Sequence, residues 1–125
     1  MIRFPRHPSA AVIAIALAAL SACASTPTTA DALVVGQQAT IEGTVVGVDT
    51  APWAYDGNAV VTVSTRGAGI VRVQLPARWN LCKAQPLGDV QSLQPSDRVQ
   101  AVGTVTGAGE LVVCEQPQHR LRKLD

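Results

Sequence analysis

The chain has 125 residues, of which 47% are hydrophobic and only 3% are aromatic. Ten basic and nine acidic residues give a net charge of +1, so the chain is neither a polycation nor a polyanion. This count includes the N-terminal segment described next, so the charge that bears on function is that of the remaining chain.

The N-terminal segment has the layout of a secretory signal. Residues 1–9 contain Arg3 and Arg6 and no acidic residue, and residues 10–20 consist only of Ala, Val, Ile and Leu. A basic start followed by a short apolar run is typical of an exported precursor. The apolar run has 11 residues, whereas a membrane-spanning helix needs about 20. We therefore expect no permanent transmembrane helix in this segment.

The last residue of the apolar run, Leu20, is followed by Ser21, Ala22 and Cys23. This tetrapeptide resembles the lipobox of bacterial lipoproteins, in which an aliphatic and two small residues precede the modified cysteine. The resemblance implies cleavage before Cys23, a diacylglyceryl group on its sulfur and acylation of its amine, and two or more acyl chains anchor a protein stably. In enterobacterial lipoproteins an Asp after the modified cysteine retains the protein in the inner membrane. This chain has Ala24 there, so the resemblance implies the outer membrane, with the protein facing the periplasm. The alternative is an ordinary secretory signal in which Cys23 happens to follow the cleavage site.

These features predict three parts: a signal peptide at 1–22, a lipidated tether at 23–32 and one domain at 33–125. The tether is small and polar with one proline, and such a flexible segment reaches on the order of 15–20 Å. Without the signal the chain has eight basic and nine acidic residues. A near-neutral domain in the envelope is not expected to bind nucleic acid.

Two cysteines, Cys82 and Cys114, remain once Cys23 is assigned to lipid. A cysteine pair in an exported protein predicts a disulfide. Closing a loop between positions 32 residues apart stabilises a fold by roughly 3–4 kcal/mol. The alternative is a metal site or a catalytic thiol, although His119 is the only histidine beyond the signal and no CxxC spacing occurs.

The pattern from Leu33 onward predicts β-strands. Ile41 and Val45 alternate correctly, but the apolar phase switches at Val46 and Val48 beside a glycine, which indicates a bulge or sharp coil. The predicted strands are Thr40–Asp49, Ala59–Thr65, Ile70–Leu75, Arg98–Thr106 and Leu111–Cys114. A turn at 66–69 joins the second and third strands, and a turn at 107–110 joins the last two, so both pairs are predicted hairpins.

Three prolines interrupt the linker at 76–97, which leaves room only for a short helical segment around Leu87–Leu93. A coiled first strand, a hairpin, an irregular linker and a second hairpin resemble the OB-fold, a small five-stranded barrel. The resemblance covers about residues 39–116. We therefore predict an all-β, OB-like barrel, with a small open β-sandwich or half-barrel as the alternative.

No enzyme signature occurs in the sequence. A GxSxG elbow, a phosphate-binding loop and a cluster of metal ligands are all missing. We therefore expect a protein that is not an enzyme and that has no cofactor and no metal.

The loop at 50–58 joins the first two strands and carries Trp53 and Tyr55. The resemblance to OB-folds implies that this loop flanks a binding face, where aromatic rings could stack on a ligand or anchor a protein partner. Alternatively, both rings fold back to cap the barrel. Arg66 lies in the turn before the third strand. Arg72 points outward from that strand and could hold a carboxylate or phosphate. The alternative is an ordinary solvated strand face.

The segment from His119 to Lys123 is read as a short basic tail that is either solvated or near anionic lipid headgroups. Together these observations predict a membrane-tethered envelope lipoprotein that acts as a non-enzymatic interaction module in a protein assembly. The alternative is a binding module for an oligosaccharide, a cell-wall fragment or another anionic ligand, with Trp53, Tyr55, Arg66 and Arg72 as its binding residues.

Overall fold

A computed structural model describes residues 33–125. The predicted signal peptide, Cys23 and the tether lie outside the described residues. The described part contains six strands and three short 3-10 segments. The strands are β1 Gln38–Asp49, β2 Ala59–Thr65, β3 Ile70–Leu75, β4 Arg98–Gly107, β5 Glu110–Val112 and β6 Arg120–Leu124; the 3-10 segments are Ala51–Tyr55, Trp79–Leu81 and Val90–Ser92.

Five of the strands close into a barrel. The order around it is β1, β2, β3, β5 and β4, and β4 then pairs with β1 from Thr44↔Arg98 to Gln38↔Thr104. Among the six strands of residues 33–125, β3 and β5 are the only pair that is parallel. This closure confirms the predicted OB-like barrel, and the open sandwich is wrong because β1 leaves no open edge between β2 and β4.

Strand β1 carries the predicted bulge. Its pairing with β2 shifts between Val45 and Gly47, so Val46 has no partner on β2 and is 52% exposed. After the bulge, the side chain of Val48 again points inward and packs against the core. The bulge increases the coiling of β1, and this strand consequently pairs with β4 along its first half and with β2 along its second.

The barrel interior is filled by the alternating residues of each strand. Val71, Val73 and Leu75 of β3 are fully buried, as are Val99 and Ala101 of β4. These are the inward residues that the period-two pattern predicts. Burial of a Val or Leu side chain contributes about 1.5–3 kcal/mol. The buried residues of both hairpins belong to one core cluster.

The linker between β3 and β4 has less helix than the sequence analysis allowed. Within Leu87–Leu93 only the turn Val90–Ser92 is helical, and Val90 is buried in the core. Gly88 has a φ of +75°, a conformation that cannot continue a right-handed helix. The linker therefore covers the barrel without a long helix: Val90 is buried, and Trp79, Ala84, Leu87 and Leu93 are partly buried against the core.

The prediction that the segment from His119 to Lys123 is a basic tail is wrong. Residues 120–124 form β6, which pairs antiparallel with β4 from Arg98↔Leu124 to Val102↔Arg120. Leu121 is 3% exposed and His119 is fully buried. The strand was missed because three of its five residues are basic, and only Leu121 faces the core.

Candidate functional site

The aromatic side chains of the described residues gather at one end of the barrel. Trp53 and Tyr55 lie in the loop after β1, and Trp79 lies in the 3-10 segment after β3. We call the surface formed by Trp53, Tyr55, Arg78, Trp79 and Leu81 the aromatic end.

Trp53 holds its loop against the barrel. The indole Nε1 donates a hydrogen bond to the carbonyl oxygen of Leu75 at 2.9 Å, and the ring packs partly against the core. The position matches the capping arrangement that the sequence analysis gave as the alternative for this residue. Tyr55, two residues later, is 73% exposed, so the two rings have different surroundings.

An ion pair joins the two segments of the aromatic end. The guanidinium Nε of Arg78 donates to both carboxylate oxygens of Asp56 at 3.1 Å, and Nη2 lies 2.9 Å from Oδ2. Hydrogen bonding and the charge of Asp56 raise the pKa of Arg78 above its ordinary value. Both side chains are mainly exposed, so the pair contributes little stability and serves chiefly to orient the two loops.

Large apolar side chains flank this ion pair without being covered. Leu81 is 69% exposed and Tyr55 is 73% exposed, and they are the most exposed large apolar side chains of the described residues. Trp79, two residues before Leu81, is half-buried and packs against the core. Exposed Tyr, Trp and Arg with an adjacent aliphatic residue are the composition of protein-binding hot spots.

The structure does not bring the four predicted binding residues together. Arg66 follows the last residue of β2, whereas Trp53 and Tyr55 precede its first residue, and a strand of that length spans roughly 20 Å. Arg72 lies midway on β3 and pairs with Glu110 at 2.9 Å. A shallow groove of about 400 Å³ beside Arg72 is lined by Gly47, Val48, Asp49, Val60 and Thr62.

Arg66 instead lines a larger groove on the outer side of β1. This groove has a volume of about 730 Å³, and its lining residues are Glu42, Gly43, Thr44, Ser64, Thr65, Arg66 and Arg98. Arg98, Arg120 and Arg122 were not among the predicted binding residues. The period-two alternation placed Arg98 outside the barrel, but no sequence signal placed β6 beside it.

The predicted disulfide is confirmed. Cys82 and Cys114 are joined, and they connect the linker to the residues after β5. His119 packs beside this bridge: its Nδ1 accepts hydrogen bonds from the backbone N–H groups of Cys114 at 3.2 Å and Gln116 at 3.4 Å. Its Nε2 is buried without a hydrogen-bond partner among the described residues. Burial lowers the pKa of His119, and the charge of Glu115 opposes that shift.

Residues 33–125 contain no group of three or more His, Cys, Asp or Glu side chains that could hold a metal ion. In the same part of the chain, no helix has the length and apolarity to cross a bilayer. Comparison with protein families, with curated proteins and with solved structures finds no match for this chain. The surfaces of the barrel must therefore be interpreted from their own chemistry.

Proposed function

We propose that the chain is a membrane-tethered lipoprotein of the bacterial envelope that acts as a non-enzymatic interaction module. The aromatic end docks a protein partner of an envelope assembly. The observation that supports this most directly is the exposure of Tyr55, next to Asp56, and of Leu81, three residues after Arg78, on the two segments that the Arg78–Asp56 pair joins.

The aromatic end has the features that favour docking at low entropic cost. The hydrogen bond from Trp53 to Leu75 holds the first loop in place before a partner arrives, and the Arg78–Asp56 pair orients the second segment relative to it. Preorganised contacts lose less conformational freedom on binding. Burial of Tyr55 and Leu81 by a partner would remove the two most exposed large apolar side chains of this part of the chain from water.

The docking proposal is tested by photocrosslinking in cells that express the full chain. A photoreactive amino acid replaces Tyr55, since Trp53 is engaged by the fold and its replacement would disturb the loop. We expect one defined envelope protein in the adduct, and we expect Leu81→Asp to abolish that adduct.

The matched control uses Ile70, which is 54% exposed at the first residue of β3, away from the aromatic end. A photoreactive residue at position 70 should give no adduct with this partner, and Ile70→Asp should leave the crosslink from position 55 intact. An adduct that survives Leu81→Asp, or that forms equally from position 70, would contradict docking at the aromatic end.

The lipid anchor has a separate test, because Cys23 lies outside the described residues. Replacement Cys23→Ser removes the sulfur that receives the diacylglyceryl group, so palmitate labelling and membrane fractionation should both be lost. If the variant stays in the membrane fraction, the anchor is not a lipid on this cysteine.

A further inference from the structure

The charges of the barrel are unevenly distributed over its surface. Residues 33–125 contain eight basic and eight acidic side chains. Four of the eight basic side chains lie on the outer side of β1, β4, β6 and the end of β2, with a single carboxylate, Glu42, among them. We call this surface the arginine face; its basic residues are Arg66, Arg98, Arg120 and Arg122.

The strand register places these residues in rows. Arg122 is opposite Gln100, which is opposite Glu42, and Arg98 is opposite Thr44. Their neighbours along β4 and β6, such as Val99 and Leu121, point into the core, so these side chains point outward. With strands about 4.8 Å apart, the row from β6 to β2 spans roughly 15 Å.

A hydrogen-bond chain orients the centre of the face. Gln100 donates to Glu42 at 3.0 Å and accepts from Nε of Arg120 at 3.0 Å. Because Arg120 is held through Nε, its two terminal nitrogens remain available for a bidentate contact with an anionic group. Arg98 lies 3.9 Å from Glu42, which is a loose contact. Arg66 and Arg122 form no ion pair with any residue of 33–125.

The groove of about 730 Å³ at one side of the face adds hydroxyl groups to this set. Thr44 and Ser64 are opposite each other on β1 and β2 and line the groove with Arg66 and Arg98. Guanidinium groups bind carboxylate, phosphate or sulfate, whereas the hydroxyls, Glu42 and Gln100 can exchange hydrogen bonds with sugar hydroxyls. A flat anionic bilayer would use the arginines but would be repelled by the exposed carboxylate of Glu42 among them, which a sugar hydroxyl can instead satisfy by donating to it.

We propose that the arginine face binds an acidic saccharide, a short sugar chain that carries carboxylate, phosphate or sulfate groups. Arg66 and Arg98 hold one acidic group at the groove, and Arg120 and Arg122 hold another about 10–15 Å along the chain. The site does not depend on docking at the aromatic end, which lies on other segments of the barrel.

The test titrates the full chain, solubilised in a non-ionic detergent, with a hexamer of galacturonate and with a heparin hexasaccharide. Uncharged maltohexaose is the ligand control, and vesicles of phosphatidylglycerol test the membrane surface. Calorimetry should detect binding of an acidic hexasaccharide and no binding of maltohexaose. The double variant Arg66→Gln/Arg98→Gln should weaken binding at least about tenfold, because each arginine makes charge-assisted hydrogen bonds.

The matched control is Arg72→Gln/Lys83→Gln, which removes the same charge from two exposed positions outside the arginine face. This control should retain the wild-type affinity. The proposal would be overturned if both double variants weakened binding equally, or if the chain bound neither acidic hexasaccharide. It would also be overturned if the chain bound only the phosphatidylglycerol vesicles. Crosslinking from position 55 should be unchanged in Arg66→Gln/Arg98→Gln, so failure of this site is distinguishable from failure of docking.

Discussion

Trp53 contributes to the fold through its indole nitrogen as well as its ring. The ring packs against the core, and Nε1 satisfies the carbonyl oxygen of Leu75, the last residue of β3. A part-buried carbonyl that loses its donor is costly. The side chain that is most distinctive in the sequence therefore has a structural role, whereas its neighbour Tyr55 remains exposed.

Replacement Trp53→Phe should lower the free energy of unfolding by about 1–2 kcal/mol, because it keeps a ring but removes the hydrogen bond to Leu75. Urea unfolding measures this change. Tyr55→Phe is the control and should stay within about 0.5 kcal/mol of the wild type, since Tyr55 is mainly exposed. Equal effects of the two substitutions would contradict the role assigned to the indole nitrogen.

His119 makes the stability of the barrel depend on pH. Burial lowers its pKa in the folded protein, while in the unfolded chain the pKa stays near 6.5. Between these two pKa values the unfolded state binds more protons, so stability rises with pH. The stabilisation is complete above about pH 6.5 and is lost as the pH falls through the folded pKa.

Urea unfolding between pH 5 and 8 measures this dependence. His119→Asn should flatten it, because asparagine does not titrate and its amide oxygen can replace Nδ1 as acceptor for the N–H of Cys114. Parallel pH profiles for the variant and the wild type would assign the dependence to other groups.

At the scale of elements, β1 decides the architecture because it pairs with both neighbours in turn. Gly43 lies where the two pairings overlap, opposite Thr65 on β2 and Val99 on β4. A Cβ atom at Gly43 would overlap the carbonyl oxygen of Ser64. The close approach of β1 to β2 therefore requires a residue without a side chain.

Gly43→Ala should destabilise the barrel by about 1–3 kcal/mol, the usual cost of forcing extra volume into a packed region. Gly47→Ala is the matched control on the same strand, since a Cβ atom there has no neighbour within 4 Å. Thermal unfolding of both variants should give a clearly lower midpoint only for Gly43→Ala. Equal midpoints would show that β1 can move away from β2 without cost.

At the scale of the molecule, the barrel closes through pairings between distant parts of the sequence. β1 pairs with β4, and the disulfide joins Cys82 to Cys114 across 32 positions. The closed arrangement presents the aromatic end and the arginine face on different segments. A near-neutral chain can thereby carry one apolar surface and one strongly basic surface.

The double variant Cys82→Ala/Cys114→Ala should lose roughly 3–4 kcal/mol of stability, because the unfolded chain is no longer constrained by the cross-link. Chemical unfolding under non-reducing conditions measures the loss. A reducing agent should lower the stability of the wild type to a similar extent and should leave the variant unchanged. A reductant effect on the variant would contradict the assignment of the stabilisation to this bridge.

Alternation of apolar residues was sufficient to predict most of the strands. Ala59–Thr65 and Ile70–Leu75 have the predicted bounds, because each strand has one face in the core and one outside. The bulge after Val45 was predictable for the same reason. The alternation of apolar residues shifts by one position there, and an extra unpaired residue in the strand produces such a shift. β6 was not predictable, because a strand that adds to an existing edge needs few inward residues, and Leu121 alone gives no pattern.

The sequence by itself determined the class of fold, the bulged first strand and the cysteine pair, because these depend on local periodicity and on the chemistry of a single residue type. Only the tertiary structure decided which surface residues are neighbours. It separated Arg66 from Trp53 and Tyr55, and it placed Arg66 with Arg98 and the arginines of β6. The physical reason is that strand pairing in a closed barrel joins residues far apart in sequence, and side chains outside the core carry no periodic signal of their partners.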